Sequence, residues 1–398
     1  MTSRALASPP YAARRAVFGY FFIAGAALAV WVAYIPLVKQ DLRLGESALG
    51  VALLALAAGA LAAEALAAGA LAAMQVVGHV VERFGSRPVT AASAVLLGLS
   101  LAGPALAPNL PALFGALLVV GACNGTLDVA MNVQAVAVER RYGRPIMAAF
   151  HAVYSVGNVA GALAASLAIR AGLPATVTLP AAGILLATLA GCAARGLLGA
   201  AEEHAVPGPE ETPAGRAPVP LAASLLGLVA FCCLVGEGAA ADWSAVHLRD
   251  RLAAPPATAA LGYAAFAAAM TTGRFLGDRV VGALGPVHVV RYGGLLAAAG
   301  FTIVVLAPAP YPALAGWAIS GAGLAAVVPQ IFTAAGNLPA GPRSLARATT
   351  LGYLGLLTGP PLIGFFADLT DLSAALAVPA VLALAVAAGA PLVRRAPG

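Results

Sequence analysis

The chain has 398 residues, of which 61% are hydrophobic and only 10% are charged. With a mean hydropathy of +0.92 it has too little polar surface to coat a water-soluble globule, so the composition predicts an integral membrane protein. The formal net charge of +6 is not concentrated in any polar segment, which argues against a nucleic-acid partner.

Apolar runs long enough to cross a bilayer, about 20 residues each, recur twelve times, at roughly 16–38, 47–81, 88–107, 111–138, 146–169, 174–194, 220–246, 256–280, 286–307, 311–336, 347–367 and 372–393. They are continuous in Ala, Leu and Val rather than alternating with period two, so a transmembrane β-barrel is excluded. The first run is about twice the length of a signal-peptide core and passes through Trp31 and Pro36 without a small-residue cleavage site; it reads as the first helix. Trp31 and Trp243 read as interface anchors. In the second run the nonapeptide ALAAGALAA stands twice, at 55–63 and 65–73, with Glu64 between the copies. A straight helix over 47–81 would be ~52 Å long against a hydrocarbon core of ~30 Å. The second copy therefore reads as an insertion, and Glu64 as its by-product or as a protonated or snorkelling carboxylate.

Basic residues set the expected topology. When ends and loops are assigned alternately to two sides, Lys39, Arg43, Arg170, Arg249 and Arg251 fall on one, which leaves 22 − 5 = 17 of the Lys and Arg residues on the other. The positive-inside rule places that richer side, and both termini, in the cytoplasm, which requires an even number of crossings. The stretch GAAEEHAVPGPEETPAGRAPV is rich in Pro and acidic residues and reads as a flexible linker. It divides the chain into 1–198, a first six-helix bundle, 199–219, the linker, and 220–398, a second bundle. The halves echo each other: Trp31 and Trp243, like Gly50 and Gly262, are separated by 212 positions (243 − 31 and 262 − 50). Internal repeats of this kind build a site between two bundles at the membrane midplane.

An ionisable group inside the membrane costs at least ~2.5 kcal/mol and is a functional candidate. In the fourth run Asn124, Asp128 and Asn132 recur every four residues and line one helix face. The fifth answers with His151, Tyr154, Ser155 and Asn158, at i, i+3, i+4 and i+7. Two such stripes on consecutive antiparallel helices can face a common cavity. A carboxylate and an imidazole there can hold substrate hydroxyls or exchange a proton, since burial favours the neutral form of either; the alternative is a hydrogen-bond cluster that fixes helix packing. The seventh run adds Glu237, between two glycines, and Asp242.

After the second run comes GHVVERFGSRP. Gly78, Glu82, Arg83, Gly85 and Arg87 match the G-x-x-x-D-R-x-G-x-R signature of the major facilitator superfamily, with Glu in place of the usual Asp, and the whole chain resembles that superfamily. The segments DVAMN, FHAVYSVGNVAG, EGAAADWSAVHLR and GPPLIGFFAD are similar to a bacterial branch that includes a membrane protein associated with rhizopine synthesis. The resemblance implies an all-α fold of two pseudo-symmetric six-helix bundles and transport by alternating access. It also implies a gating latch at Glu82, with Arg343 or Arg347 as its partner across the seam. In the second half Arg274, Asp278 and Arg279 echo the signature loosely, and the i, i+4 spacing predicts that Arg274 pairs with Asp278. Two departures weaken an exporter reading. The fourth run lacks the Arg that many proton-driven exporters carry, and the fifth has Gly157 and Gly161 but no Gly-Pro pair.

The expectation is a proton-coupled secondary transporter of a small molecule, with export as one direction open to it, monomeric in the cell membrane and needing no cofactor. The alternatives are a sugar or polyol uptake system, a facilitative carrier, or a non-transporting sensor on the same fold. An enzyme is disfavoured, because the sequence has no metal-ligand spacing, nucleophile elbow or phosphate-cradling loop.

Overall fold

The computed structural model describes residues 10–68, 85–143, 146–199 and 218–394. The first half contributes α1 (Tyr11–Asp41), α2 (Glu46–Ala68), α3 (Ser86–Ser100), α4 (Leu110–Tyr142), α5 (Met147–Arg170) and α6 (Ala175–Ala193). The second contributes α7 (Leu221–Val246), α8 (Leu261–Leu284), α9 (Pro286–Leu306), α10 (Pro310–Leu324), α11 (Gly341–Leu369) and α12 (Ala377–Gly389). Ten of the described segments are long and apolar enough to cross a membrane. The other two are α2, whose described part ends at Ala68, and α8, which carries Arg274, Asp278 and Arg279. With these the twelve expected crossings are accounted for.

Local chemistry sets the helix ends. Asn109 caps α4 by accepting from the Ala112 amide at 3.0 Å, and Gly143 closes that helix in the left-handed region at φ 70°. The Glu139 carboxylate then accepts from the Ile146 and Met147 amides at 2.6 and 2.7 Å, so the N-terminus of α5 meets a negative charge. Pro329 explains why α10 breaks and resumes as Val327–Gly336, since its ring would collide with the Ala325 carbonyl of a continuous helix. Gly85 (φ 82°, ψ 156°) precedes α3 and Gly285 (φ 77°, ψ 159°) precedes α9. Two glycines with nearly the same backbone at equivalent places make the internal repeat visible in geometry, in a region L side chains rarely enter.

Within the first bundle α1 packs on α5 and α6, α2 on α4, and α3 on α4 and α6. In the second, α7 packs on α11 and α12, α9 on α10 and α12, and α8 on α10. The bundles meet where α2 lies against α11 and α5 against α8. Since α8 is the repeat of α2 and α11 of α5, these two seams are related by the pseudo-twofold. α1 and α7 run through the interior, with buried residues on every side. This overturns the reading of Trp31 and Trp243 as interface anchors. They are 1% and 0% exposed, packed inside the protein, because the helices that carry them are covered by their neighbours.

The first copy of the nonapeptide lies in α2, where the backbone at Leu56 and Ala60 abuts Gly121 and Gly125 of α4 too closely to admit a Cβ. The helical backbone continues through Glu64 to Ala68, and residues 69–84, which hold most of the second copy, lie outside the described part. Gly121→Val drives a side chain into the α2 backbone. It is expected to destabilise the protein by about 1–3 kcal/mol, as overpacking does, and to lower the melting temperature in detergent.

Candidate functional site

A cavity of about 380 Å³ lies between the bundles, walled by α1, α2, α4 and α5 on one side and by α7, α8 and α11 on the other. Asn124 and Asp128 of α4 and Tyr154, Ser155 and Asn158 of α5 face it from the first half; Glu237 and Asp242 of α7 and Arg274 of α8 face it from the second. The two stripes of the fourth and fifth runs therefore do converge, as the periodicity predicts. Asn132, one turn further along α4, turns back: its amide donates to the Asp128 carbonyl at 2.8 Å and to the Asp128 carboxylate at 3.3 Å, orienting that carboxylate. His151 lines an adjoining cavity of about 370 Å³ with Gln330 and Pro329 and meets the Phe21 ring edge-on at 5.1 Å. Ser155, Thr271 and Arg274 border both cavities.

Arg274 has a partner on another helix. Its Nη2 lies 3.7 Å from Glu237 Oε2 on the neighbouring helix, so the ion pair crosses from α8 to α7 at the cavity wall. The i, i+4 rule considers one helix in isolation and does not name the half-buried Glu237 on α7 as a counter-charge. The Asp278 side chain lies outside the described residues.

Of the signature loop, Gly78, Glu82 and Arg83 lie outside the described residues, as do any contacts of Glu82. Gly85 takes the left-handed backbone its position demands, Arg87 sits half-buried in the first turn of α3, and Arg347 is exposed in the first turns of α11. Beside the loop is a residue that sequence reasoning misses, Gln134. Its side chain donates to Ser86 Oγ at 2.7 Å and to the Leu198 carbonyl at 2.9 Å and accepts from the Leu198 amide at 3.0 Å, which ties α3, α4 and the end of α6 together.

A second polar cluster closes the bundles on the face opposite Tyr11. Lys39, whose side chain is 8% exposed, is held by Glu46 at 2.9 Å and by Asp250 of the other half at 2.5 Å. Ser47 accompanies it, donating from its amide to Asp368 and from its hydroxyl to the Gly364 carbonyl, both at 3.3 Å. Ser166 of α5 donates to the Ala257 carbonyl at 2.8 Å. Gly50 and Gly364 let α2 and α11 touch backbone to backbone, at Pro360 and Glu46 respectively. The signal for this cluster is a lysine and an aspartate near the ends of two repeat-related runs, which sequence alone offers only as topology charges. The cavity aromatics Tyr263, Phe266 and Tyr353 also escape it, because an overall aromatic content of 6% says nothing of where the rings gather.

Twelve apolar helices in two pseudo-symmetric bundles, sealed over one face and holding a polar chamber between them, define a multi-pass membrane protein of transporter architecture. The chain is 39% identical over 381 residues to an uncharacterized MFS-type transporter of Yersinia pestis, covering 94% of each. It is 33% identical over 363 residues to the membrane protein MosC of Rhizobium meliloti, covering 91% of this chain and 85% of that one. Among solved structures it resembles a mutant form of the nucleoside transporter NupG, with TM-score 0.73 at 12% identity, over 98% of this chain and 100% of that one. The fucose:proton symporter FucP of E. coli follows the same fold at TM-score 0.60 and 14% identity, over 96% and 98%. No family model matches the sequence. The chain belongs to the major facilitator superfamily: it is a transporter and not an enzyme.

Proposed function

We propose that the chain is a proton-coupled secondary carrier of a small polar solute, working by alternating access in the cell membrane with both termini in the cytoplasm. The observation that carries this reading is that Asp128 from one bundle and Glu237 and Asp242 from the other face one chamber. Carboxylates shared between two bodies that move against each other can take a proton on one side and release it on the other. Under the positive-inside assignment the sealed face at Lys39 and Asp250 is external. In that orientation this cluster closes the chamber to the outside, and a bacterial Spinster homologue of the same fold has been captured facing inward, both occupied and unoccupied. The fucose:proton symporter among the structural neighbours supports proton coupling by analogy of fold.

In this reading Asn124, Asp128, Asn132, Tyr154, Ser155, Asn158, Glu237 and Asp242 form the solute and proton pathway, and His151 guards its cytoplasmic approach beside Arg274. Glu82, Arg83 and Arg87 with Arg347 form the cytoplasmic latch, and Asp278 belongs to the echo of that signature in the second half. Residues 199–219 tether the two bundles as they rock, between a first unit at 1–198 and a second at 220–398. A proton gradient across the membrane then drives the solute.

The test is a proteoliposome assay that follows internal pH together with solute flux. Asp128→Asn and Glu237→Gln are each expected to abolish accumulation against a gradient and the linked pH change. Uphill accumulation that persists in both variants would contradict proton coupling through these groups.

A further inference from the structure

Taking this chamber as the solute site, we infer that its solute is a small organic cation, a protonated amine that carries further hydrogen-bond donors. The first argument is charge. Among the described lining residues Asp128, Glu237 and Asp242 are acidic and Arg274 alone is basic, a formal balance of 1 − 3 = −2. Arg274 already faces Glu237 at 3.7 Å, which leaves Asp128 and Asp242 to be balanced by a proton or by the cation exchanged for it. Carboxylates set within the membrane carry a desolvation penalty that an arriving cation offsets.

The second argument is the sense of the unused hydrogen bonds. Asn158 is 5% exposed, and its Oδ1 is buried without a partner, as is Oε1 of Glu237. Both atoms belong to chamber-lining residues and both only accept. Buried acceptors left open favour a ligand that brings N–H or O–H donors, and an ammonium brings up to three. A carboxylate or phosphate brings none and meets like charge.

The third is the aromatic lining. Tyr154, Tyr263, Phe266 and Tyr353 all reach the chamber, and the Tyr263 and Phe266 rings lie nearly parallel at 6.4 Å. Ring faces beside carboxylates hold an alkylammonium by cation–π attraction. At about 380 Å³ the chamber falls in the lower part of the range for small-molecule sites.

The experiment does not depend on which amine is carried. In full-length protein with Cys123, Cys192, Cys232 and Cys233 replaced by serine, Ala241→Cys places a thiol on the chamber wall. Its labelling by a trimethylammonium and by a sulfonate methanethiosulfonate is compared, each rate divided by that of a free thiol. The cationic reagent is expected to react at least about tenfold faster, as a cleft of one sign enriches its counter-ion. Combining Asp128→Asn with Asp242→Asn is expected to bring the ratio close to one. Equal rates, or a ratio that survives neutralisation, overturn the inference.

A second arm measures melting temperature with glucosamine, glucose and glucuronate and with a panel of primary, secondary and quaternary amines. Stabilisation by amines alone is expected; no stabilisation by any amine, or stabilisation by the neutral or anionic sugar, overturns it. Amine binding without counterflow in proteoliposomes would sink the carrier reading and leave this one standing. Counterflow of neutral or anionic solutes alone would do the reverse.

Discussion

Replacing Lys39 with methionine is expected to open the sealed face. Lys39 holds Glu46 of its own bundle and Asp250 of the other at once, so its removal leaves two carboxylates facing each other across the seam. Losing one member of a fully buried pair costs about 3–5 kcal/mol. Here the Glu46 and Asp250 side chains keep 27% and 20% of their exposure, and water screens part of the repulsion, so about 2 kcal/mol is the better expectation. At 1.4 kcal/mol per decade this moves the closed-to-open equilibrium of that face by roughly thirtyfold. The backbone contacts of Gly50 with Pro360 and Gly364 with Glu46 cross the same seam and part with it, whereas the packing within each bundle is untouched, so the bundles separate without unfolding. Spin labels at Gln40 and Arg249 are expected to report a longer distance population in the Lys39→Met protein. Asp250→Asn, which removes one carboxylate and leaves Lys39 on Glu46, is expected to act in the same direction and more weakly. An unchanged distance distribution in both would show that the packing of α2 on α11 and the hydrogen bonds of Ser47 and Ser166 hold the face without this ion pair.

Much of the architecture is legible because membrane insertion writes itself in simple variables. The length of each apolar run, the alternation of the arginines and the 212-residue echo between Trp31 and Trp243 lead to twelve helices in two bundles. The stripes on α4 and α5 are legible for the same kind of reason, since a period of four fixes a helix face whatever the tertiary structure. What is not legible depends on which helices become neighbours. Trp31 and Trp243 read as anchors because an aromatic near the end of a run is commonly interfacial. Only the burial of α1 and α7 shows that they are core. The partner of Arg274 is hidden for the same reason: Glu237 is 37 positions away (274 − 237) on a different helix, while Asp278 is one turn away on its own. Lys39 and Asp250 likewise meet across 211 positions, a contact that exists only in the state where this face is shut.

The Arg274–Glu237 pair sets up the second large effect, which is a non-additivity. Arg274→Met strands the Glu237 carboxylate, whose Oε1 already lacks a hydrogen-bond partner, in the chamber wall. Glu237→Gln does less harm, because the Arg274 side chain is 41% exposed and its guanidinium can turn towards the adjoining cavity beside Gln330. The expected costs are therefore unequal, about 2 kcal/mol for the arginine and below about 1 kcal/mol for the glutamate. The double variant leaves neither charge exposed to a poor solvent, and it should cost no more than about 1 kcal/mol, so that the second substitution rescues the first. A coupling energy on the order of 1–2 kcal/mol in the double-mutant cycle, read from melting in detergent, is the signature of a direct pair. Asp278→Asn serves as the control. If the pairing within α8 predicted by the i, i+4 spacing were the operative one, the coupling would appear between Arg274 and Asp278, and Arg274→Met with Glu237→Gln would add. The 3.7 Å contact across α7 and α8 predicts coupling between Arg274 and Glu237. The same cycle bears on function, since a pair that stabilises the empty chamber must loosen when a competing cation enters. The Arg274→Met protein is therefore expected to bind small amines more tightly, by roughly tenfold or 1.4 kcal/mol, while releasing them more slowly and so transporting less.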